Sequence, residues 1–311
     1  RRLNHLSYQS IQMMKKISIY LASALLLLSA ASCDRGLDDL SGKKPNGGGN
    51  GNGNTTVALT PAPCSNKIVA HRGGSSECGM PDNSRASLKY AMSLNLYASE
   101  CDIYWTKDND VIIAHADGNY CINGLKPYEH TVTEIRKAGK LTNLEEIPNL
   151  EDFVDLVMVE GNCTKLCLDI KNISPVENAS KAVKRACEII KEKQGEKFCE
   201  FICTGNATVG AVAANCMVVY GMPVGWMAND TPANHKAKGY SWANLSTNYL
   251  NPYGSGVRSI DEFLSAGMEI SVFNVDKQGG DSNAVYSDEA VAYYLSRYGD
   301  LRCICTNYPS W

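Results

Sequence analysis

The chain has 311 residues, of which 44% are apolar, 20% charged and 8% aromatic. That is enough apolar material for one large core or two small ones, and it excludes disorder along the whole length. The formal net charge of −3 excludes the strongly basic balance of a nucleic-acid binder.

Read from the start, residues 1–12 form a leader ahead of a translational start at Met13 or Met14. Lys15 and Lys16 follow, then an apolar run from Ile17 to Leu28, the small residues Ser29, Ala30, Ala31 and Ser32, and Cys33. This is the three-part layout of an export signal. The run is shorter than the roughly 20 apolar residues of a membrane-spanning helix. Cys33, directly after the small residues, resembles the lipid-attachment cysteine of bacterial lipoproteins, although Ala30 stands where such signals usually carry Leu. An ordinary secretory signal or an uncleaved anchor is the plainer alternative. Residues 1–33 are thus expected to be leader and lipoprotein-type signal, with lipidation at Cys33. The protein is expected to be exported and held at a membrane by that lipid, on the periplasmic or cell-surface side. Residues 1–32 carry Arg1, Arg2, Lys15 and Lys16 and no acid, so without them the net charge becomes −7. Residues 34–66 show no apolar periodicity and include GGGNGNGN at 47–54, which reads as a flexible tether reaching roughly 30 Å from its anchor.

Residues 67–311 then alternate short apolar strands with amphipathic helices. In order these are a strand at Lys67–Ala70, a helix at Arg85–Leu94, a strand at Ala98–Tyr104 turned into a second at Val111–His115, and a helix at Leu150–Val159. A strand at Leu166–Ile170, a helix at Val176–Lys193 and a strand at Phe198–Cys203 follow. Next come a helix at Thr208–Asn215, a strand at Met217–Tyr220 and a weak strand at Tyr249–Asn251. A helix at Ser259–Ala266, a strand at Glu269–Asn274, a helix at Asp288–Arg297 and a strand at Cys303–Thr306 complete the chain. With Val111–His115 counted as a hairpin extension, eight strands alternate with helices over about 245 residues, close to the size of about 250 usual for a single β/α barrel. The expected class is α/β, a (β/α)8 TIM barrel, with a doubly wound open sheet as the alternative. In either fold, chemistry gathers at the carboxyl ends of the strands.

Those ends carry the reactive residues. The first strand ends in His71-Arg72-Gly73-Gly74, the second holds Glu100 and Asp102, the hairpin strand ends in His115, and the next carries Asp169 and Lys171. Glu100 and Asp102 are two apart on a strand and share a face. With Asp169 they make three hard oxygen ligands, suited to Ca²⁺ or Mg²⁺. An E-x-D pair by itself is more often surface charge, and position at a strand end is what distinguishes the two. His71 and His115 are two of only five histidines in the chain, and His5 lies in the leader. Such a pair suits phosphoester chemistry, one ring taking a proton from the nucleophile and the other giving one to the leaving alcohol. Arg72 can grip a phosphate through two parallel hydrogen bonds, and Lys171 adds a point charge.

Together, His71-Arg72-Gly73, Pro81-Asp82-Asn83-Ser84, Glu100-Cys101-Asp102, Thr106-Lys107-Asp108, Val111-Ile112-Ile113-Ala114-His115 and Leu168-Asp169-Ile170-Lys171 resemble the glycerophosphodiester phosphodiesterase family. That family reads HRG, PENT, IExD, TKDG, VVxHD and LEIK in the same order and at similar spacings. Phe273-Asn274 is similar to its WTVN segment, and Thr306-Asn307-Tyr308-Pro309 to its closing TDxP. HRG alone is a weak sign, but six motifs in order are not. The resemblance implies a barrel of the phospholipase C-like phosphodiesterase type and a divalent cation, Ca²⁺ or Mg²⁺, held by Glu100, Asp102 and Asp169. It implies His71 and His115 as general acid and base, and Arg72 and Lys171 on the phosphate. The implied reaction is hydrolysis of a small glycerophosphodiester to glycerol 3-phosphate and an alcohol, through a cyclic phosphate that water opens. No nucleic acid and no obligate protein partner are implied.

The sequence departs from the family at Asp82 for Glu, Asp169 for Glu, Ala116 for Asp, Phe273 for Trp and Asn307 for Asp. Asp117 is shifted by one from the expected acid and points to the other face if the strand continues. A phosphatidylinositol phospholipase C-like lyase, or a non-catalytic lipoprotein that binds phosphodiesters or glycans, are the alternative readings. Trp226, Trp242 and the tyrosines from Tyr240 to Tyr253 read as packing more readily than as a pocket wall, and Asn251-Pro252-Tyr253 is a further pocket candidate. Of the thirteen cysteines, Cys101, Cys167, Cys187, Cys203, Cys303 and Cys305 lie inside strands or a helix and behave as small apolar residues. Cys78 and Cys121, in loops near the site, form the pair to examine for a disulfide.

Overall fold

The computed structural model describes residues 58–171, 175–204, 207–276 and 287–310. The expected signal, Cys33 and most of the expected tether lie outside the described residues. Nine strands form one sheet: β1 (Ile68–Ala70), β2 (Ala98–Trp105), β3 (Val111–Ile113), β4 (Lys165–Ile170), β5 (Cys199–Thr204), β6 (Val224–Met227), β7 (Trp242–Ser246), β8 (Ile270–Phe273) and β9 (Ile304–Thr306). Eight of them run parallel in the order β1-β2-β4-β5-β6-β7-β8-β9, and β9 returns to β1. The sheet is thus a closed (β/α)8 barrel, as expected, and the open-sheet alternative falls away. β3 is an antiparallel hairpin partner of β2 outside the ring.

The helices are α1 (Ser75–Cys78), α2 (Arg85–Ser93), α3 (Val132–Ala138), α4 (Leu150–Val157), α5 (Val176–Glu192), α6 (Ala207–Tyr220), α7 (Pro232–Ala237), α8 (Ile260–Ser265) and α9 (Asp288–Ser296). Their starts follow from local chemistry. Ser84, Thr131 and Asn149 each accept a hydrogen bond from the backbone N–H three residues on, and the side chain at that position bonds back, which satisfies donors that a helix start leaves open. None of the helices in the described residues is long and apolar enough to cross a membrane.

Burial follows the alternation of a barrel wall. On β2, Cys101 and Ile103 face outward into an apolar layer with Leu166, Leu168, Ile170 and the inner faces of α4 and α5. Val69, Ala98, Cys167, Ile202, Trp242 and Cys303 fill a layer of the lumen. A third cluster closes the far side through Leu245, Ile260, Phe263, Ile270 and Tyr294.

Two expected strands are corrected. Met217–Tyr220 is the last turn of α6, which ends where Gly221 takes a left-handed φ of 71°. Its helix is apolar nearly all round in sequence, so periodicity cannot separate a buried helix from a buried strand there. The strand itself follows Pro223 as β6. Tyr249–Asn251 lies in a 3-10 turn and the loop after it. The strand is β7, whose Trp242, Asn244 and Ser246 alternate with Ala243 and Leu245. It reads as a loop in sequence because the lumen of this barrel accepts polar side chains.

Candidate active site

The register of two strands builds an acidic cluster. Asp102 on β2 pairs with Asp169 on β4, and Glu100 pairs with Cys167, so all three acids project into the lumen at the carboxyl end. Oxygens of Glu100, Asp102 and Asp169 lie within 4.8 Å of one another, and all three residues are buried. Asp102 is fully shielded. Its Oδ2 accepts from Asn83 Nδ2 at 2.8 Å, and its backbone N–H donates to Asn83 Oδ1 at 3.1 Å. Asn83, the third residue of the Pro81-Asp82-Asn83-Ser84 motif, thereby braces the cluster, a role its own polarity does not announce in sequence.

The cations expected at the site are present. Lys171 Nζ lies 2.5 Å from Asp102 Oδ1 and also contacts Asp169 Oδ2. Arg72 Nε lies 3.2 Å from Asp102 Oδ2, and its Nη1 lies 3.0 Å from Asp82. Arg72 sits in a left-handed backbone conformation (φ 49°), followed by Gly73 at 83°. A Cβ on Gly73 would fall 2.3 Å from Ser87 Oγ, so only glycine lets β1 turn here against α2. The turn points the Arg72 N–H at Glu100 Oε2, at 2.9 Å.

Electrostatics separate the acids. Burial, then the neighbouring Asp102 charge, pushes the Glu100 carboxyl well above its usual range. Burial also opposes ionisation of Asp102, but Lys171 and Arg72 outweigh it and hold Asp102 low. Burial works against the Lys171 charge, and the surrounding carboxylates of Asp169, Asp102 and Glu100 more than offset it. Glu100 Oε1 and Asp169 Oδ1 are buried without a protein partner. Orphaned carboxylate oxygens of this kind cost on the order of 1–3 kcal/mol each. With all three ionised, the acids would exceed the charges of Arg72 and Lys171 by one, and a cation bound there would favour the ionised form of Glu100. Oxygen donors, close spacing and residual charge all fit a hard divalent cation.

His71 and His115 both line this pocket. His71 Nδ1 is 2.7 Å from Asn307 Oδ1. Asn307 is held in turn by Asp276, which accepts from its backbone N–H at 2.7 Å and from its Nδ2 at 2.9 Å. Asp276 is fully buried and also accepts from Thr306 Oγ1 at 2.9 Å. His71 Nε2 points toward Glu100 Oε2, 3.9 Å away. Burial first, and then the Arg72 charge, lowers the His71 pKa below 6.5. His115 follows β3, where the Ala114 N–H donates to Asp102 O at 3.2 Å and keeps the chain against β2. Loss of hydration lowers its pKa too, with Asp102 opposing.

The pocket is a cavity of about 430 Å³ that also takes in Met227, Trp242, Asn244, Ser246, Asn248, Tyr249, Ser271, Phe273, Asn274 and Asp276. Trp242 crosses the lumen because Gly225 has no side chain: a Cβ there would lie 2.3 Å from the indole. Its Nε1 donates to Ser271 Oγ at 2.8 Å, which donates to Asn244 Oδ1 at 2.8 Å. Trp242 is therefore pocket wall as well as packing. Trp226 stacks on Tyr240 at 4.7 Å and does not line the pocket. Asn248 and Tyr249 line the pocket, whereas Asn251, Pro252 and Tyr253 do not. Asp117 accepts from the Asn119 and Cys121 N–H groups and holds its own turn. Cys78 and Cys121 are both free thiols, not a bridge. Asp276 is the functional candidate that residue patterns miss, since a single acid after a strand carries no distinguishing mark.

The fold and the pocket define an α/β barrel with an acid-lined, histidine-bearing site at the carboxyl ends of its strands. The fold is shared with solved structures of glycerophosphodiester phosphodiesterases. One from Parabacteroides distasonis aligns with TM-score 0.58 at 19% identity over 80% of this chain and 95% of that one. One from Thermotoga maritima aligns with TM-score 0.56 at 14% identity, over 80% and 97%. An Oleispira antarctica phosphodiesterase solved with its product sn-glycerol-3-phosphate aligns with TM-score 0.57 at 18% identity, over 78% and 94%. No protein-family model and no curated protein sequence matches the chain.

Proposed function

We propose that the protein is a metal-dependent glycerophosphodiester phosphodiesterase, hydrolysing a small glycerophosphodiester to glycerol 3-phosphate and an alcohol. The observation that carries this reading is the convergence of His71, His115, Arg72, Lys171, Glu100 and Asp169 on one cavity, with Asp102 buried behind them in the same acidic cluster. The product complex of the Oleispira antarctica neighbour, on the same fold, supports the substrate class.

Glu100, Asp102 and Asp169 would hold a Ca²⁺ or Mg²⁺ ion, which when bound supplies neutralisation of charge on the phosphoryl oxygens. The chain's own groups do the rest. Arg72 and Lys171 draw the phosphate toward the acids and fix its orientation. Neutral His71, its Nδ1–H held by Asn307, presents an unprotonated Nε2. That nitrogen takes the proton of the neighbouring glycerol hydroxyl as its oxygen bonds to phosphorus. Protonated His115 gives its proton to the departing alcohol oxygen as that P–O bond breaks. A water, deprotonated by the now neutral His115, then opens the cyclic phosphate, and His71 returns its proton to the glycerol oxygen.

The deciding assay supplies glycerophosphocholine or glycerophosphoethanolamine with Ca²⁺ or Mg²⁺, and again with chelator. Glycerol 3-phosphate formed only with metal is expected. A cyclic product that resists chelator would point to the lyase, and no turnover together with ligand binding to a phosphodiester-binding module.

The proposal extends to location. Lys15, Lys16, the Ile17–Leu28 run and Cys33 support an exported protein anchored through a lipid on Cys33, with residues 34–66 as spacer, the last of them (58–66) lying against the barrel, and 67–311 as the barrel domain. Incorporation of labelled fatty acid in cells, lost in Cys33→Ser, is the expected result.

A further inference from the structure

Residues 58–66 run as a strap over the amino-terminal face of the barrel, opposite the pocket. Its Ala62 N–H donates to Asn162 O at 2.8 Å, just ahead of β4. Asn66 Oδ1 accepts from the Ile68 N–H at 2.8 Å and so sets the entry to β1. Between these two anchors sits Cys64. Its Sγ lies 3.6 Å from Asn95 O, and Cys163 Sγ lies 3.9 Å from Leu96 O, the next carbonyl along. The Ala62–Asn162 bond and these neighbouring carbonyls bring the two thiols to one place, and burial first, then the Cys163 thiol, raises the Cys64 pKa to about 11. Cys163 is buried, whereas Cys64 is half-buried and open to a small reagent.

We propose that Cys64 and Cys163 are a disulfide-forming pair, a modification site that takes a low-molecular-weight disulfide as its oxidant. The Cys64 thiolate attacks one sulfur of the oxidant RSSR, forming a mixed disulfide and releasing one RSH. Cys163 then attacks Cys64 Sγ, closing the protein disulfide and releasing the second RSH. Two thiol hydrogens and two electrons pass to the oxidant. The raised Cys64 pKa slows the first step near neutral pH, so the rate of closure climbs as pH rises from 7 to 9.

The bridge would close a loop from 64 to 163 that contains β1, β2, β3 and five site residues: His71, Arg72, Glu100, Asp102 and His115. Long loops lose the most chain entropy in the unfolded state on closure. It would also tie the expected tether covalently to the floor of the barrel. Both sulfurs lie at the end of the barrel away from the pocket, so closure leaves the active-site groups in place.

The test oxidises the full chain with glutathione disulfide, blocks remaining thiols with iodoacetamide, and digests without reduction for mass spectrometry. A cross-linked peptide joining Cys64 to Cys163, lighter by two hydrogens than its parts, is expected. The thermal midpoint should rise by about 5–15 °C, fall back with dithiothreitol, and stay unmoved in Cys64→Ser. Cys78→Ser should keep both the link and the rise. Recovery of Cys64 and Cys163 as separate alkylated or glutathione-bearing peptides from folded, oxidised protein would overturn the proposal. So would a midpoint rise that persists in Cys64→Ser. Cys64→Ser changes a half-exposed strap residue, so the comparison does not depend on Cys163→Ser folding.

Discussion

Asn307 Oδ1 sits 2.7 Å from His71 Nδ1 while its Nδ2 donates to Asp276. Because the amide nitrogen is committed to the carboxylate, the oxygen must face the imidazole, and an oxygen there accepts. His71 Nδ1 therefore carries the hydrogen, and Nε2 is left as the basic nitrogen in the pocket.

Asp276 is in that case a positioning residue. In Asp276→Ala the amide of Asn307 loses its anchor and the tautomer of His71 is no longer set. A fall of about 10–100-fold in kcat with KM nearly unchanged is expected, on the scale of other hydrogen-bonded supports of catalytic groups. Asp276→Asn, which can still accept from Asn307, should recover part of the loss. The ¹⁵N shifts of the His71 ring give an independent reading, and an unchanged tautomer in Asp276→Ala would count against this role.

His115 lies at the open side of the pocket and contributes no oxygen to the acidic cluster. His115→Ala should lower turnover by about 10²–10⁴-fold, the usual size of a proton-transfer contribution. Calcium affinity measured by calorimetry should stay close to that of the parent protein. Near-normal turnover would remove His115 from the acid–base pair.

Gly225 and Trp242 make a steric prediction. A Cβ at 225 would meet Cε2, Cζ2 and Nε1 of the indole at 2.3–2.6 Å, and Trp242 is fully buried. Gly225→Ala should cost about 1–3 kcal/mol of stability, as overpacking in a tight core does. Chemical denaturation in a Trp242→Ala background checks the cause: the cost of Gly225→Ala should shrink there. An unchanged cost would place the strain elsewhere.

His235 predicts a pH dependence of stability. It is fully buried among Trp226, Tyr240 and Phe263, and its Nδ1 lies 2.9 Å from Thr231 O. Burial lowers its pKa from 6.5. The unfolded chain thus takes up a proton at this residue before the folded one does, so stability falls as pH drops below about 6.5, by at most about 1.4 kcal/mol per pH unit. His71 and His115 shift the same way and add to the slope. Urea titrations at pH 7.5, 6.5 and 5.5 should show a smaller acid loss for His235→Leu than for the parent, and identical losses would refute the assignment.

Much of this site is written in short-range order. Glu100 and Asp102 share a face because strand residues two apart always do, and His71, His115 and Lys171 end strands that their apolar runs mark. The alternation of elements over residues 67–311 leads to the barrel for the same reason. Local pattern misplaces two strands where its premise fails: α6 is apolar nearly all round in sequence, and β7 turns polar groups inward to a lumen that holds a pocket.

What the amino-acid sequence by itself determined is the class of the fold and the choice of seven candidate side chains for the chemistry, because both depend on residue type and on neighbours within a strand or turn. Only the tertiary structure decided which of those groups share one cavity. Closure of β9 onto β1 brings Thr306 and Asn307 to His71 across more than two hundred residues of chain. The β2–β4 register sets Asp102 opposite Asp169, and Asp276 gains its role solely from the amide it anchors. Those relations are distances in space between parts of the chain that carry no information about each other in linear order.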